Sequence, residues 1–359
     1  MKTLVLTLIL SVSTLSSFAQ TDSLKNPLVV SGYIETYYAY DFGNPSNHNS
    51  PGFMYSYNKQ NEVNVNLGFI KAAYQTRNIR SNLALMTGTY AKANLAAEPG
   101  ILKNIFEANA GVKLSKTKSL WLDVGVFTSH IGFESAIGKD CWNLTRSILA
   151  DNSPYYERGA KLSYTSDDDK WFLSALLLNG WQRIKRVQGN NTPSFGHQIT
   201  FRPNRKIILN SSSFIGSDTP DHNRQMRYFH NFYGQIQLNE KFGIILGFDI
   251  GAQQKSKGSR NYNTWYSPVL LVKYAPAEKI SISARAEYYS DLNEVIINTE
   301  TSNAFQTYGY SLNLDYQITT KFTWRFEGRG FDSKYDIFTS SNNPTNRYYF
   351  ITSALAISL

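Results

Sequence analysis

Segments with a two-residue period recur to the end of this chain, and the gaps between them are alternately short and long. Period two marks an extended strand whose two faces differ. In LVVSGYIETYYAYDF, Val30, Ile34, Tyr38, Tyr40 and Phe42 share a face, with Ser31, Glu35 and Asp41 opposite. NEVNVNLGF sets Val63, Val65, Leu67 and Phe69 against Asn64 and Asn66. NIFEANAGVKL sets Phe106, Ala108, Ala110, Val112 and Leu114 against Glu107, Asn109 and Lys113. SLWLDVGVF, KFGIILGFDIGA, KISISARAEYY and KFTWRFEGRG repeat the pattern, with Asp123, Asp249, Arg285, Glu287, Arg325, Glu327 and Arg329 on the polar faces. The last strand, YFITSALAISL, carries Tyr349, Ile351, Leu355, Ile357 and Leu359 on one side and Thr352, Ala354, Ala356 and Ser358 on the other. Ser353 is the single lapse on its apolar face. An exposed apolar edge invites aggregation in a soluble domain, whereas in a closed membrane barrel it pairs and faces lipid.

The gaps separate these two possibilities. Seven short gaps lie near 76–80, 115–119, 166–169, 203–205, 239–241, 275–278 and 319–321, between eight longer ones. Short turns at one end and long loops at the other are the asymmetry of outer-membrane barrels. The expected fold is therefore all-β, a transmembrane antiparallel up-and-down β-barrel of about sixteen strands, with short periplasmic turns and long extracellular loops. Two stretches fit poorly. Lys206–Ser217 has no clean phase, and Pro268 falls inside WYSPVLLVKY, where a bulge or the strand's outer end is expected because Pro forfeits a ladder bond.

Composition agrees with export to a membrane. Lys2 and the apolar run from Leu4 to Leu15, followed by Ser17 and Ala19, read as a cleaved signal peptide over 1–19. Residues 20–27 then form a short periplasmic segment, and 28–359 the barrel. Mean hydropathy is −0.35, as expected where apolar and polar residues alternate. The 24 Tyr and 21 Phe suit aromatic girdles at two membrane interfaces. Cys141 is the only cysteine, which excludes an intramolecular disulfide. The net charge of +9 loses one with Lys2, and its scatter along an exported chain argues against nucleic acid as partner.

The chemistry-bearing features are few. The largest insert, Ser129–Ser153, follows the fifth strand; KDCWNLTRSILAD within it has the pattern of a short helix. Long inserts in compact folds are usually functional, and this one is a candidate constriction loop carrying Glu134, Lys139, Asp140, Arg146 and Asp151. The alternative is an extracellular lid. Candidate pore-lining charges are Glu35, Glu107 and Asp123 on early strands and Arg285, Glu287, Arg325, Glu327 and Arg329 on late ones. Opposed rows of acid and base would set a transverse field; the three arginines favour anions weakly, with Glu287 and Glu327 cancelling part of that field. The five His, at 48, 130, 197, 222 and 230, lack metal-ligand spacing, and no cofactor is expected. Asp167–Asp169 reads as a solvated turn, and His230 has lipid-facing parity with no role assigned.

The segments VSGYIETYYAYDF, NEVNVNLGFIKAAY, DNSPYYERGAKLSY and LLLNGWQRI together resemble the OmpL-like β-barrel porins of Gram-negative bacteria. The resemblance covers the whole mature chain, implies an outer-membrane porin role and transfers no catalytic or binding residues. The insert after strand five also resembles the constriction loop of general porins in position. The reading is a passive pore for small hydrophilic solutes, not an enzyme, with outer-membrane lipid as its surroundings and a homo-oligomer such as a trimer as a possible assembly. Two alternatives are an adhesin-type or structural barrel with a plugged lumen, and a membrane-embedded hydrolase using Ser129 and His130.

Overall fold

A computed structural model describes residues 26–359. The expected leader, 1–19, lies outside the described residues. In chain order the strands are β1 (Leu28–Asp41), β2 (Val63–Gln75), β3 (Ile79–Thr87), β4 (Ile105–Lys113), β5 (Ser119–Thr128), β6 (Tyr156–Thr165), β7 (Trp171–Leu178), β8 (Ser194–Asn204), β9 (Ile207–Gly216), β10 (Arg227–Gln237), β11 (Phe242–Gln254), β12 (Tyr262–Ala277), β13 (Ile280–Asp291), β14 (Phe305–Thr319), β15 (Phe322–Ser333), β16 (Phe338–Ser340), β17 (Asn343–Thr345) and β18 (Arg347–Ser358). Among the described residues, β1–β15 and β18 form a closed antiparallel barrel of 16 strands, each paired with its chain neighbours, and β1 closes the ring on β18. The small hairpin β16–β17 stands in the loop between β15 and β18.

Closure leaves no unpaired edge, and it sorts side chains by parity. Ile34, Val124, Leu177, Leu246, Leu312 and Leu355 stand exposed on the outer wall. Ser353, the lapse on the last strand, faces outward with them and accepts a hydrogen bond from Trp324 Nε1 at 2.9 Å.

One apolar cluster surrounds the segment between β5 and β6, with Leu67, Trp142, Leu149, Ile245 and Leu271, and another sits inside the barrel at its long-loop end. Phe214, Phe229, Trp265, Tyr289, Phe305, Phe331, Tyr348 and Phe350 face inward there and are buried. Phe53, Trp181, Ile297 and Phe338 descend onto them from loops. The Phe53 ring meets those of Phe305 and Phe331 at centroid distances of 4.9 and 5.4 Å. Gly251 makes the belt fit: a Cβ there would collide with the Trp265 indole.

Three local expectations are corrected. On β2, Leu67 and Phe69 do not share the outer face of Val63. A register shift opposite Glu35 and Thr36 inserts Asn66, so the strand changes phase; Leu67 is buried and Phe69 stacks on Phe106 inside. The segment Lys206–Ser217 is a regular strand, β9, whose outward positions alternate Leu209, Ser211, Ser213 and Ile215; serine on the outer face hid its phase. Pro268 lies well inside β12 with no register shift beside it. The register places it opposite Tyr288, and that bridge is missing from the β12–β13 ladder. Ser267 replaces the lost donor: its Oγ donates to the Tyr288 carbonyl at 2.7 Å.

Ser267→Ala leaves that carbonyl without a partner and should lower the unfolding free energy by about 1–3 kcal/mol. Adding Pro268→Ala restores the peptide N–H and should recover most of the loss. Equilibrium urea unfolding in lipid vesicles measures both. A double variant no more stable than Ser267→Ala would refute the substitution of hydroxyl for amide.

Candidate functional site: a loop held inside the barrel

The segment between β5 and β6 turns into the lumen. Asn143, Leu144, Thr145, Arg146 and Ser147 are at most 1% exposed, although they belong to a connection. The segment forms less helix than its sequence suggests. Only Ile148–Asp151, α1, is α-helical, with Ser147 as its N-cap, and Gly138–Asp140 makes one 3₁₀ turn. The backbone between them is irregular, and irregular backbone at membrane depth needs partners from protein or water.

The barrel wall provides them. Arg325 donates to the carbonyls of Gly138 at 2.5 Å, Cys141 at 2.9 Å and Trp142 at 3.2 Å. Arg285 donates to the Thr145 carbonyl at 2.8 Å, and Arg329 to the Arg146 carbonyl at 2.7 Å. Glu327 accepts from Thr145 N at 2.5 Å, Glu287 from Ile148 N at 2.6 Å, and Asn313 from Leu144 N at 3.0 Å. The wall charges also compensate one another: Arg285 with Glu327 at 2.9 Å, Arg329 with Glu287 at 2.6 Å, and Arg325 with Asp315 at 2.7 Å. Five of the eight candidate wall charges thus bind peptide groups of the loop. Removing one partner from such a buried array typically costs about 3–5 kcal/mol.

The loop's own charges divide into two sets. Arg146 is buried and donates to the carbonyls of Ser135, Leu144 and Ala136, fixing the loop's internal path. Glu134 accepts from Ser147 N at 3.0 Å and also from its hydroxyl, and lies 3.8 Å from Arg285. Lys139 and Asp140 are exposed at the turn. Asp151 is buried and accepts from Ser56 Oγ at 3.1 Å.

Glu107 and Asp123 lie apart from this array, whereas Glu35 stands against the loop at Gly138 and its partner Tyr33 accepts from Lys139 N at 3.3 Å. Glu35 accepts from Tyr33 and Tyr57, each at 2.6 Å, and from Asn66 at 2.9 Å. Glu107 pairs with Lys71 at 2.9 Å and Asp123 with Arg80 at 2.7 Å. Bases therefore neutralise Glu107 and Asp123 locally instead of facing them across the lumen in rows, while the partners of Glu35 are hydroxyls and an amide. Sequence reasoning missed Lys71, Arg80, Asp315 and Asn313. Polar-face parity would have found Asp315 and Asn313, but the phase change on β2 conceals Lys71. Ser129 and His130 do not form a pair. Ser129 Oγ accepts from Ile131 N, and His130 Nε2 lies 2.8 Å from the Ser213 carbonyl. Burial also lowers the His130 pKa to about 4.

A closed sheet of sixteen strands, apolar outside and holding a charged, internally bonded loop, defines a membrane barrel of the porin class. The family described as beta-barrel porin-2, OmpL-like, matches residues 27–359, and the chain belongs to it. The fold is similar to that of Vibrio cholerae OmpT (8% identity, TM-score 0.60), covering 92% of this chain and 97% of that one. It is also similar to an anion-selective porin from Comamonas acidovorans (6% identity, TM-score 0.60; 92% and 99% covered). Pseudomonas putida OprB gives 10% identity and a TM-score of 0.59 over 94% and 96%. At these identities the likeness is one of fold. No curated protein sequence matches the chain. Family and fold together make it a porin of the outer membrane.

Burial raises the Asp151 pKa from 3.8 to about 7, against the pull of Arg329, Arg146 and the Ser56 hydroxyl. The docked loop thus keeps a proton that the released loop gives up. Docking gains most below about pH 4 and loses this contribution as the pH rises to about 7. Hydrogen exchange of the amides from 147 to 152, corrected for intrinsic rates, should show stronger protection at pH 5 than at pH 8. Asp151→Asn should flatten that profile, and an unchanged profile would assign the dependence to another group.

Proposed function

We propose that this porin is a narrow passive channel for small hydrophilic solutes, with 129–153 as its constriction. The observation that carries this reading is the capture of the loop backbone by Arg285, Arg325, Arg329, Glu287 and Glu327. A mobile lid has no need of so many buried bonds to one wall. The free path then lies between the loop and the opposite wall, where Lys71, Arg80 and Lys161 keep partial exposure. Export by a leader ending at Ala19 and assembly into oligomers belong to the same reading. Refolded protein in planar bilayers should show small single-channel conductance, rising severalfold when Ser135–Asn152 is deleted. Conductance unchanged by the deletion would favour the adhesin-type or structural barrel.

We assign solute preference to cations other than the three arginines. Arg285, Arg325 and Arg329 are covered and compensated, so they contribute little field to the free path. Lys113, Lys161, Arg202 and Lys273 have inward parity, partial exposure and no ion-pair partner among the described residues. Basic linings concentrate anions. Reversal potentials across a salt gradient should show a mild anion preference. Replacing these four by Gln should move it toward cations, and no movement would refute the assignment.

A further inference from the structure

Four polar side chains have outward parity where lipid-facing barrel residues are expected to be apolar; three are half-buried and the fourth, Ser213, is covered by its neighbours. His197 on β8 lies opposite Ser213 on β9, and Ser213 lies opposite His230 on β10. Ser211 stands one outward position along β9 from Ser213, so the group covers three adjacent strands. Its row runs on to Ala175 on one side and Ile250 on the other. Phe195, Ile215 and Tyr228 lie above it, and Ile199 and Phe232 below. The polar group is therefore an island within the apolar band, in the half of the barrel nearer the long loops. It contains both the strand whose phase could not be read from sequence and the outward His230 that had no role.

The island is internally bonded, though not completely. Ser213 Oγ lies 2.6 Å from His197 Nδ1, and Ser211 Oγ 2.8 Å from His230 Nε2. The two rings approach to 5.4 Å between centroids, and His230 stacks on Phe232 at 4.0 Å. Each imidazole thereby spends one nitrogen on a serine. His197 Nε2 and His230 Nδ1 have no hydrogen-bond partner among the described residues. In hydrocarbon no water can satisfy them. A catalytic reading of the Ser–His pairs fails because the ladder consumes the peptide N–H groups around both serines, leaving no donor for an oxyanion.

We propose that this island is the contact through which two copies of the chain pair in the membrane. A neutral imidazole has one N–H and one bare nitrogen, and a serine hydroxyl can give or take a proton in a hydrogen bond. The two open nitrogens can thus be one donor and one acceptor. About a two-fold axis, His197 of one copy meets His230 of the other, and the same bond forms twice. Acyl chains provide neither group, whereas a second copy provides both at positions fixed by its sheet. Phe195, Ile199, Ile215, Tyr228 and Phe232 frame the polar centre with apolar surface, as at other interfaces where polar groups hold membrane segments together.

The test uses the full-length protein in outer membranes with Cys141→Ala, which removes the only cysteine. Ile215→Cys in that background, at the exposed outward position next to Ser213 on β9, should give a disulfide-linked dimer on mild oxidation, and Leu355→Cys, on another part of the wall, should not. Adding His197→Leu and His230→Leu should reduce the cross-link about tenfold, the effect of losing two hydrogen bonds of the strength found in membranes. Heat-modifiable gel mobility checks that this variant still folds. The proposal is overturned if Ile215→Cys gives no dimer, if Leu355→Cys gives one equally well, or if the leucine variant cross-links undiminished. It is also overturned in favour of a lipid partner if native mass spectrometry finds a monomer whose bound glycolipid disappears with the histidines.

Discussion

A buried peptide group without a partner costs roughly 1–3 kcal/mol, and in hydrocarbon no water is at hand to reduce that cost. Two devices in this molecule meet the demand. Closure of β1 on β18 satisfies the strands, since every edge becomes an interior. The inserted loop cannot be satisfied that way, because its backbone between Cys141 and Ser147 follows no regular pattern. Side chains of the wall supply what secondary structure does not: guanidinium groups for its carbonyls, carboxylates and an amide for its N–H groups. The charges on β13 and β15 are thus explained by the loop's peptide groups before any solute is considered. Their mutual pairing keeps the array close to neutral, which lets so many ionised groups sit together in a lumen that is largely filled.

Strand order and number were legible because they depend on period and gap length, which a single chain displays directly. The inward parity of β13 and β15 was readable for the same reason: Ile282, Ala284 and Ala286 alternate cleanly with Ser283, Arg285 and Glu287. Parity does not reveal what lies across from a side chain. Arg285 and Glu327 carry the same sequence signal whether they face water or a loop, so their role as loop anchors could not be read. The bulge at Asn66 illustrates a second limit. One inserted residue reverses every later side chain on β2, and no residue type there announces it. Pro268 exposed a third, because the rule that proline ends a ladder fails when a neighbouring hydroxyl takes over the missing bond.

The helix expected in 139–151 shrank to a single turn for a related reason. Apolar residues at helical spacing were present, with Leu144, Ile148 and Leu149 all buried, but burial here is against a barrel wall and beneath other loops. Peptide groups that found arginine and glutamate partners had no need of an intrahelical one. Tertiary partners outweighed local propensity over the segment 141–147.

The loop leaves the chain after β5, and the residues that hold it come from β13 and β15, far later in synthesis order. Until those strands arrive, Arg146, Glu134 and Asp151 have only part of their final surroundings. The first and last strands, which meet to close the ring, lie nearly the whole chain apart, so closure is the longest-range pairing of the fold. A segment met early in the chain thus receives its partners from strands near the end, and its place inside the barrel depends on the late part of the sequence.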